Sequence, residues 1–147
     1  MNFTKITDNT ICDCFSGAVE NTEDTFVRKV RRSVELKDPD FRNSIERTKA
    51  PSNENNCVEV CGYHGVSIEV WNDHSSKILM DKYQTTASFS PQSKNNLCVI
   101  KFKVNNGMVK YTPDQLPFNE FHYDFYKEDS FLVSHLELLD MIQITAV

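Results

Sequence analysis

The chain has 147 residues, with 16 Lys and Arg against 21 Asp and Glu, for a net charge of -5. That length is one ordinary domain. The acidic balance excludes a polyanion binder working by bulk attraction, though it leaves room for a local basic patch. Four Gly and five Pro exclude collagenous and low-complexity chains, while ten Phe, five Tyr and one Trp supply a core.

Taken in order, residues 1–20 read as a loosely attached N-terminal segment of a single domain spanning 1–147. Phe26 to Leu36 fits a helical stripe or a strand, and its Val content favours the strand. Asp38-Pro39 starts a helix with Phe41 and Ile45 on one face, ending before Pro51. Lys49 to Asn56 reads as a loop. Val66 to Trp71 alternates as a strand, and a short helix follows, capped by Asn72 or Asp73, with Ile78, Leu79 and Tyr83 packed inward. Thr85 to Asn96 reads as a second loop.

Leu97 to Val104 carries the clearest alternation in the chain, with Cys98, Ile100, Phe102 and Val104 on one face. Asn105-Asn106-Gly107 then supplies a tight turn, and Met108 to Tyr111 is expected to return as its hairpin partner. Phe121 to Tyr126 reads as a strand, Ser130 to about Leu139 as a helix capped by Asp129, and Met141 to Val147 as a closing strand. The pattern predicts an α+β fold: a single small domain with a mixed, mostly antiparallel sheet and two or three short helices.

The N-terminus shows no apolar core of a signal peptide, and no apolar run approaches the roughly 20 residues that cross a bilayer. A cytoplasmic protein with no membrane association is therefore expected, its five cysteines reduced. Cys57-x3-Cys61-x2-His64 superficially resembles half of a zinc site. As a strand it would hold the sulfurs roughly 13 Å apart, too far to share a metal; as a helical turn it would put both thiols on one face. Without a second half-site, reduced cysteines filling apolar space are the ordinary reading. Cys12-x-Cys14 would place both thiols on one side of a strand and lacks the spacing of redox helices.

Four glycines at 17, 62, 65 and 107 satisfy neither the phosphate-loop nor the dinucleotide fingerprint, and no G-x-S-x-G elbow is present. Arg28, Lys29, Arg31 and Arg32 place four cations in five positions. The acidic balance and the lack of a recognition motif argue against nucleic acid, and one inward Arg would suit an anion anchor. His122 and Asp124 share strand parity, roughly 6.6 Å apart, so both can face one cleft with Ser67 or His64.

Two resemblances accompany these readings. Tyr63-His64-Gly65-Val66-Ser67 resembles the His-Gly-Ser/Thr element with which some ADP-ribosyltransferases hold NAD, although Val66 separates Gly from Ser. The resemblance implies that His64 contacts ribose, that Gly65 contacts the nicotinamide amide and that Tyr83 stacks. It implies Ser67 and Arg28 (or Arg32) as further cofactor contacts, with Glu120 or Glu137 as the acidic residue. From Arg28 to Val147 the chain is also similar to a group of short uncharacterised bacterial proteins. Asp40-Phe41-Arg42-Asn43-Ser44-Ile45-Glu46, Gly65-Val66-Ser67, His122-Tyr123 and Leu138-Leu139 match their motifs, with Ser44 one place late.

The reading reached is a binding or accessory module without a cofactor, acting through a protein partner or self-association. The aromatic stretch Phe118 to Phe131 offers more rings than one strand face buries. An NAD-binding ADP-ribosyltransferase-like enzyme built on His64, Tyr83 and Glu137, or a catalytically degraded relative of one, is the alternative.

Overall fold

The computed structural model describes residues 1–31, 35–89, 96–115 and 117–145, without the side chains of 88 and 89. The chain runs α1 (Thr4–Thr7), β1 (Phe26–Val30), a 3-10 turn (Asp38–Phe41), α2 (Cys57–His64), β2 (Val66–Val70) and α3 (Asp73–Phe89). It continues through β3 (Asn96–Lys101), β4 (Gly107–Tyr111), β5 (His122–Lys127), a 3-10 turn (Val133–His135) and β6 (Glu137–Gln143). All six strands join one sheet in the order β4-β5-β2-β1-β3-β6, every pairing antiparallel. The expected α+β class is the one observed.

The interior strands β1 and β3 bury apolar side chains on both faces, with Arg28 and Lys29 of β1 only partly buried. Phe26 and Val30 join Cys98, Ile100, Val66, Ile68 and Phe125 in one buried cluster. Val27, Leu97 and Val99 face the other way, under Leu79, Tyr83 and Ala87 of α3. The start of α3 is fixed reciprocally. Asn72 Oδ1 accepts the Ser75 N–H (2.8 Å), Ser75 Oγ accepts the Asn72 N–H (3.0 Å), and the hydroxyl donates to Val70 O (2.6 Å). Asn72 is thus the cap.

Several expected elements differ. Met108 to Tyr111 is not the hairpin partner of β3: β4 pairs with β5, at the opposite side of the sheet from β3. Asn105 (φ 68°) and Gly107 (φ 154°) do reverse the chain. Both flanks of β3, however, are already taken by β1 and β6. Phe102 lies in the core on the way across, stacked 4.2 Å from Phe125, while Val104 is exposed. The expected helix over Ser130 to Leu139 is a single 3-10 turn running into β6, and the helix at Asp38 is likewise one 3-10 turn. Conversely α3 is long, running through Phe89 into the expected loop, and Ile78 lies on its exposed side. Val34, Arg32, most of the loop around Pro91 and the last two residues lie outside the described residues.

The N-terminal segment is joined to the rest of the chain at several points. Asp129 accepts from the Thr4 N–H (3.2 Å) and the Thr4 hydroxyl (2.6 Å), and its own N–H donates to Asn2 O (2.8 Å). No helix among the described residues is long and apolar enough to cross a membrane.

Candidate functional site

The two ends of the sheet are treated differently. At the β4 end, Val19 pairs with Val109 through two backbone hydrogen bonds of 2.8 and 2.9 Å, so the N-terminal segment meets that edge at one bridge. Two disulfides tie the same segment to α2: Cys12–Cys57 and Cys14–Cys61, with Cα atoms 5.5 and 5.3 Å apart. These bridges overturn the expectation of reduced cysteines. They also remove Cys57 and Cys61 as metal ligands, because a disulfide sulfur carries no thiolate, and His64 alone makes no site. No metal-ligating cluster occurs among the described residues. Cys98 remains a free, buried thiol, pushed up to about 12 by burial.

A signal for this pairing was present in the spacings. Positions i and i+4 on a helix are about 6 Å apart along one face, and i and i+2 of an extended chain are about 6.6 Å apart on one side. C-x-C and C-x3-C therefore match rung for rung, once the second segment is helical. Asn56 secures that helix by accepting the Glu59 N–H (3.2 Å).

At the other end, β6 is bonded to β3 alone and its outer side has no strand neighbour among the described residues. Leu138 and Leu139 are 43% and 46% exposed there. The register shift opposite Val99 and Ile100 leaves Leu139 as the extra residue of a bulge. The Met141 N–H donates to the Asp140 carboxylate (2.8 Å), which fixes an acidic group at the middle of the edge.

Between α2 and α3 the sheet face is polar. Ser67 lies opposite Asp124 and Glu69 opposite His122, so the expected shared parity of His122 and Asp124 does bring them to one face with Ser67. Glu69, His122 and Asp124 are held by Asn119, Thr112 and Gln115 rather than by one another. Asn119 Nδ2 donates to Glu69 Oε2 (2.6 Å), the His122 ring pairs with the Thr112 hydroxyl (2.8 Å), and Gln115 Nε2 donates to Asp124 Oδ2 (2.5 Å). Asp124 is fully buried, and burial raises its pKa to about 7 against the Gln115 bond. Asp124 Oδ1 and the Tyr126 hydroxyl are buried without a hydrogen-bond partner, and burial with the nearby Asp124 pushes Tyr126 up. Burial lowers the pKa of His122 and of His64 and raises that of Glu69. Gly65 makes this packing feasible: a Cβ there would sit 2.7 Å from Asp124 Cβ and Cγ.

The residues expected around NAD are dispersed. His64 lines a cleft with Lys5, Asn43, Lys127 and Phe131 that contains neither Tyr83 nor Glu137. Tyr83 is packed beneath α3, and Glu137 is an exposed residue opening the edge strand. Gly65 caps α2 and faces Asp124. Only Arg28 and Ser67 meet, as Arg28 Nη1 donates to the Ser67 carbonyl (2.7 Å). Of the aromatic stretch, Phe121, Phe125 and Tyr126 are buried and Tyr123 and Phe131 pack against the core, leaving Phe118 exposed at 68%. The rings therefore form core rather than a broad surface. Comparison with protein-family models, curated proteins and solved structures gives no match.

Proposed function

We propose that this chain is a binding module that recognises a partner protein by accepting an extended segment onto the free edge of β6. The observation that carries the reading is the asymmetry of the sheet: the β4 edge meets the disulfide-tied segment at the Val19–Val109 bridge, while the outer side of β6 has no strand neighbour among the described residues and carries the exposed Leu138 and Leu139. Such an edge is a template for strand addition, in which backbone bonds give affinity and alternate side chains give selectivity.

Charge argues for a partner other than a second copy. Two-fold antiparallel pairing centred on the middle of Glu137–Gln143 would set Asp140 against Asp140, and like charges directly opposite are destabilising. An apolar segment carrying Lys or Arg meets Asp140 and Glu137 favourably and suits the acidic chain. Two disulfides favour work in an oxidising compartment over the reducing cytosol.

The test is hydrogen exchange of the full chain with short peptides alternating Val with Lys or Val with Glu. The Lys peptide is expected to slow exchange of β6 amides, and Asp140→Lys to reverse the preference. Unchanged β6 exchange with both peptides would overturn the reading.

A further inference from the structure

We infer that a cleft beside β1 is a binding site for a small ligand carrying a tetrahedral oxyanion, a phosphate or sulfate ester group. The cleft measures about 350 Å³, and Arg28, Lys29, Arg31, Arg42 and Arg47 line it against Asp40 and Glu46 as its carboxylates. Both carboxylates are already engaged. Glu46 is paired with Lys127 at 2.6 Å, and Asp40 Oδ2 accepts the Lys37 N–H at 2.9 Å. The lining thus carries five cations against two carboxylates, a local excess of positive charge in a chain of net charge -5.

Arg28 forms the floor. Its Nε donates to Asp40 O (2.7 Å), Nη1 to Ser67 O (2.7 Å) and Nη2 to Arg42 O (3.4 Å), and the guanidinium lies 5.6 Å from the centroid of the Phe41 ring. Its hydrogen bonds all go to neutral carbonyls, and the nearby Asp40 carboxylate favours its charged form. Burial, with Arg47 nearby, lowers its pKa only to about 10, so it stays charged at neutral pH. Because its fork is largely committed, Arg28 supplies field rather than a bidentate grip.

The grip comes from three exposed arginines on three separate segments: Arg31 after β1, Arg42 after the first 3-10 turn, and Arg47 in the following turn. Forks arriving from several directions suit an acceptor whose oxygens point in several directions, which a tetrahedral group offers and a planar carboxylate does not. Thr48, the next residue on the rim, sits at φ 63°, an unfavourable backbone for a β-branched side chain. Such strain persists where the surroundings over-determine it, as they do at ligand sites.

The test is a calorimetric titration of the full chain with glycerol 3-phosphate and with sodium sulfate at fixed ionic strength. Saturable one-to-one binding is expected, weakened at least tenfold by Arg42→Ala with Arg47→Ala and unchanged by Lys103→Ala, an exposed cation elsewhere. Circular dichroism checks that the double variant folds; Arg31→Ala serves in its place if it does not. Affinity for the phosphate ester that rises from pH 5 to 7, as its second proton leaves at about pH 6, assigns a phosphate ligand. Tighter, pH-independent sulfate binding assigns a sulfate ester. The inference is overturned if neither anion binds saturably, or if the arginine variants bind as well as the unaltered chain.

Discussion

Replacing the disulfides measures how far the clamp defines the fold. The bridges span sequence separations of 45 and 47 residues. By the chain-entropy relation, closing one loop of that size restricts the unfolded chain by about 4 kcal/mol at 25 °C. The two contributions do not add. With one bridge in place, the second closes only the short ring made by the stretches between Cys12 and Cys14 and between Cys57 and Cys61, worth about 2 kcal/mol by the same relation. Cys12→Ala with Cys57→Ala is therefore expected to cost about 2 kcal/mol, and replacing all four cysteines about 6 kcal/mol. The outer pair is the cleaner perturbation, since Cys14 is fully buried against Ile6 and Tyr126 and its replacement adds a cavity. Urea unfolding measures both, with the slope rising as the unfolded chain expands. Thiol titration of the unaltered protein supplies the check: one reactive thiol, Cys98, after unfolding without reductant. Five reactive thiols, or a four-cysteine variant within 1 kcal/mol of the parent, would refute the reasoning.

Two further outcomes follow from the packing around Asp124. Its folded pKa of about 7 lies above the ordinary 3.8, so the folded protein holds a proton that the unfolded chain releases between about pH 4 and 7. Stability from this group is therefore lost as pH rises across that window, by up to about 4 kcal/mol. Asp124→Asn removes the loss, so the variant should gain on the parent from pH 4 to pH 8. Lowered His64 and His122 act with opposite sign, weakening the fold as pH falls, and cancel in the comparison. A parent-minus-variant difference in urea unfolding that stays flat with pH would contradict the assignment. Gly65→Ala should cost about 1–3 kcal/mol by overpacking Asp124. At φ −91° the backbone itself accepts alanine, so a denaturation midpoint equal to the parent's would show that Asp124 yields freely.

Local signals and the fold agree at the start of α3 and along β2, where a short-range interaction decides the element. The cap at Asn72 is written within four residues, and the alternation of Val66, Ile68 and Val70 marks β2 because one face of it is core. His122 and Asp124 can be placed on one face from parity alone, while Ser67, 57 positions before Asp124, joins them only through the register of β2 on β5. Parity says nothing of which group completes the site. Gln115 and Thr112, which hold Asp124 and His122, come from a loop with no periodicity to read. The same limit explains β4. Asn105-Asn106-Gly107 specifies a reversal, but the choice of neighbour is made by which flanks remain free, and β6, 30 residues later, takes the one beside β3.

The segment from Ser130 onward shows that a pattern can be read correctly and still assigned to the wrong element. Leu132, Leu136 and Leu139 recur at helical spacing, yet Leu136 alone of the three is buried. The bulge at Leu139 lets a strand carry adjacent leucines that strict alternation would forbid. An edge strand buries only part of its side chains, so its sequence is released from the alternation that identifies β2 and β3. The element hardest to recognise in this chain is thus the one with no strand neighbour on its outer side among the described residues, and that one-sided pairing is what frees its sequence from alternation.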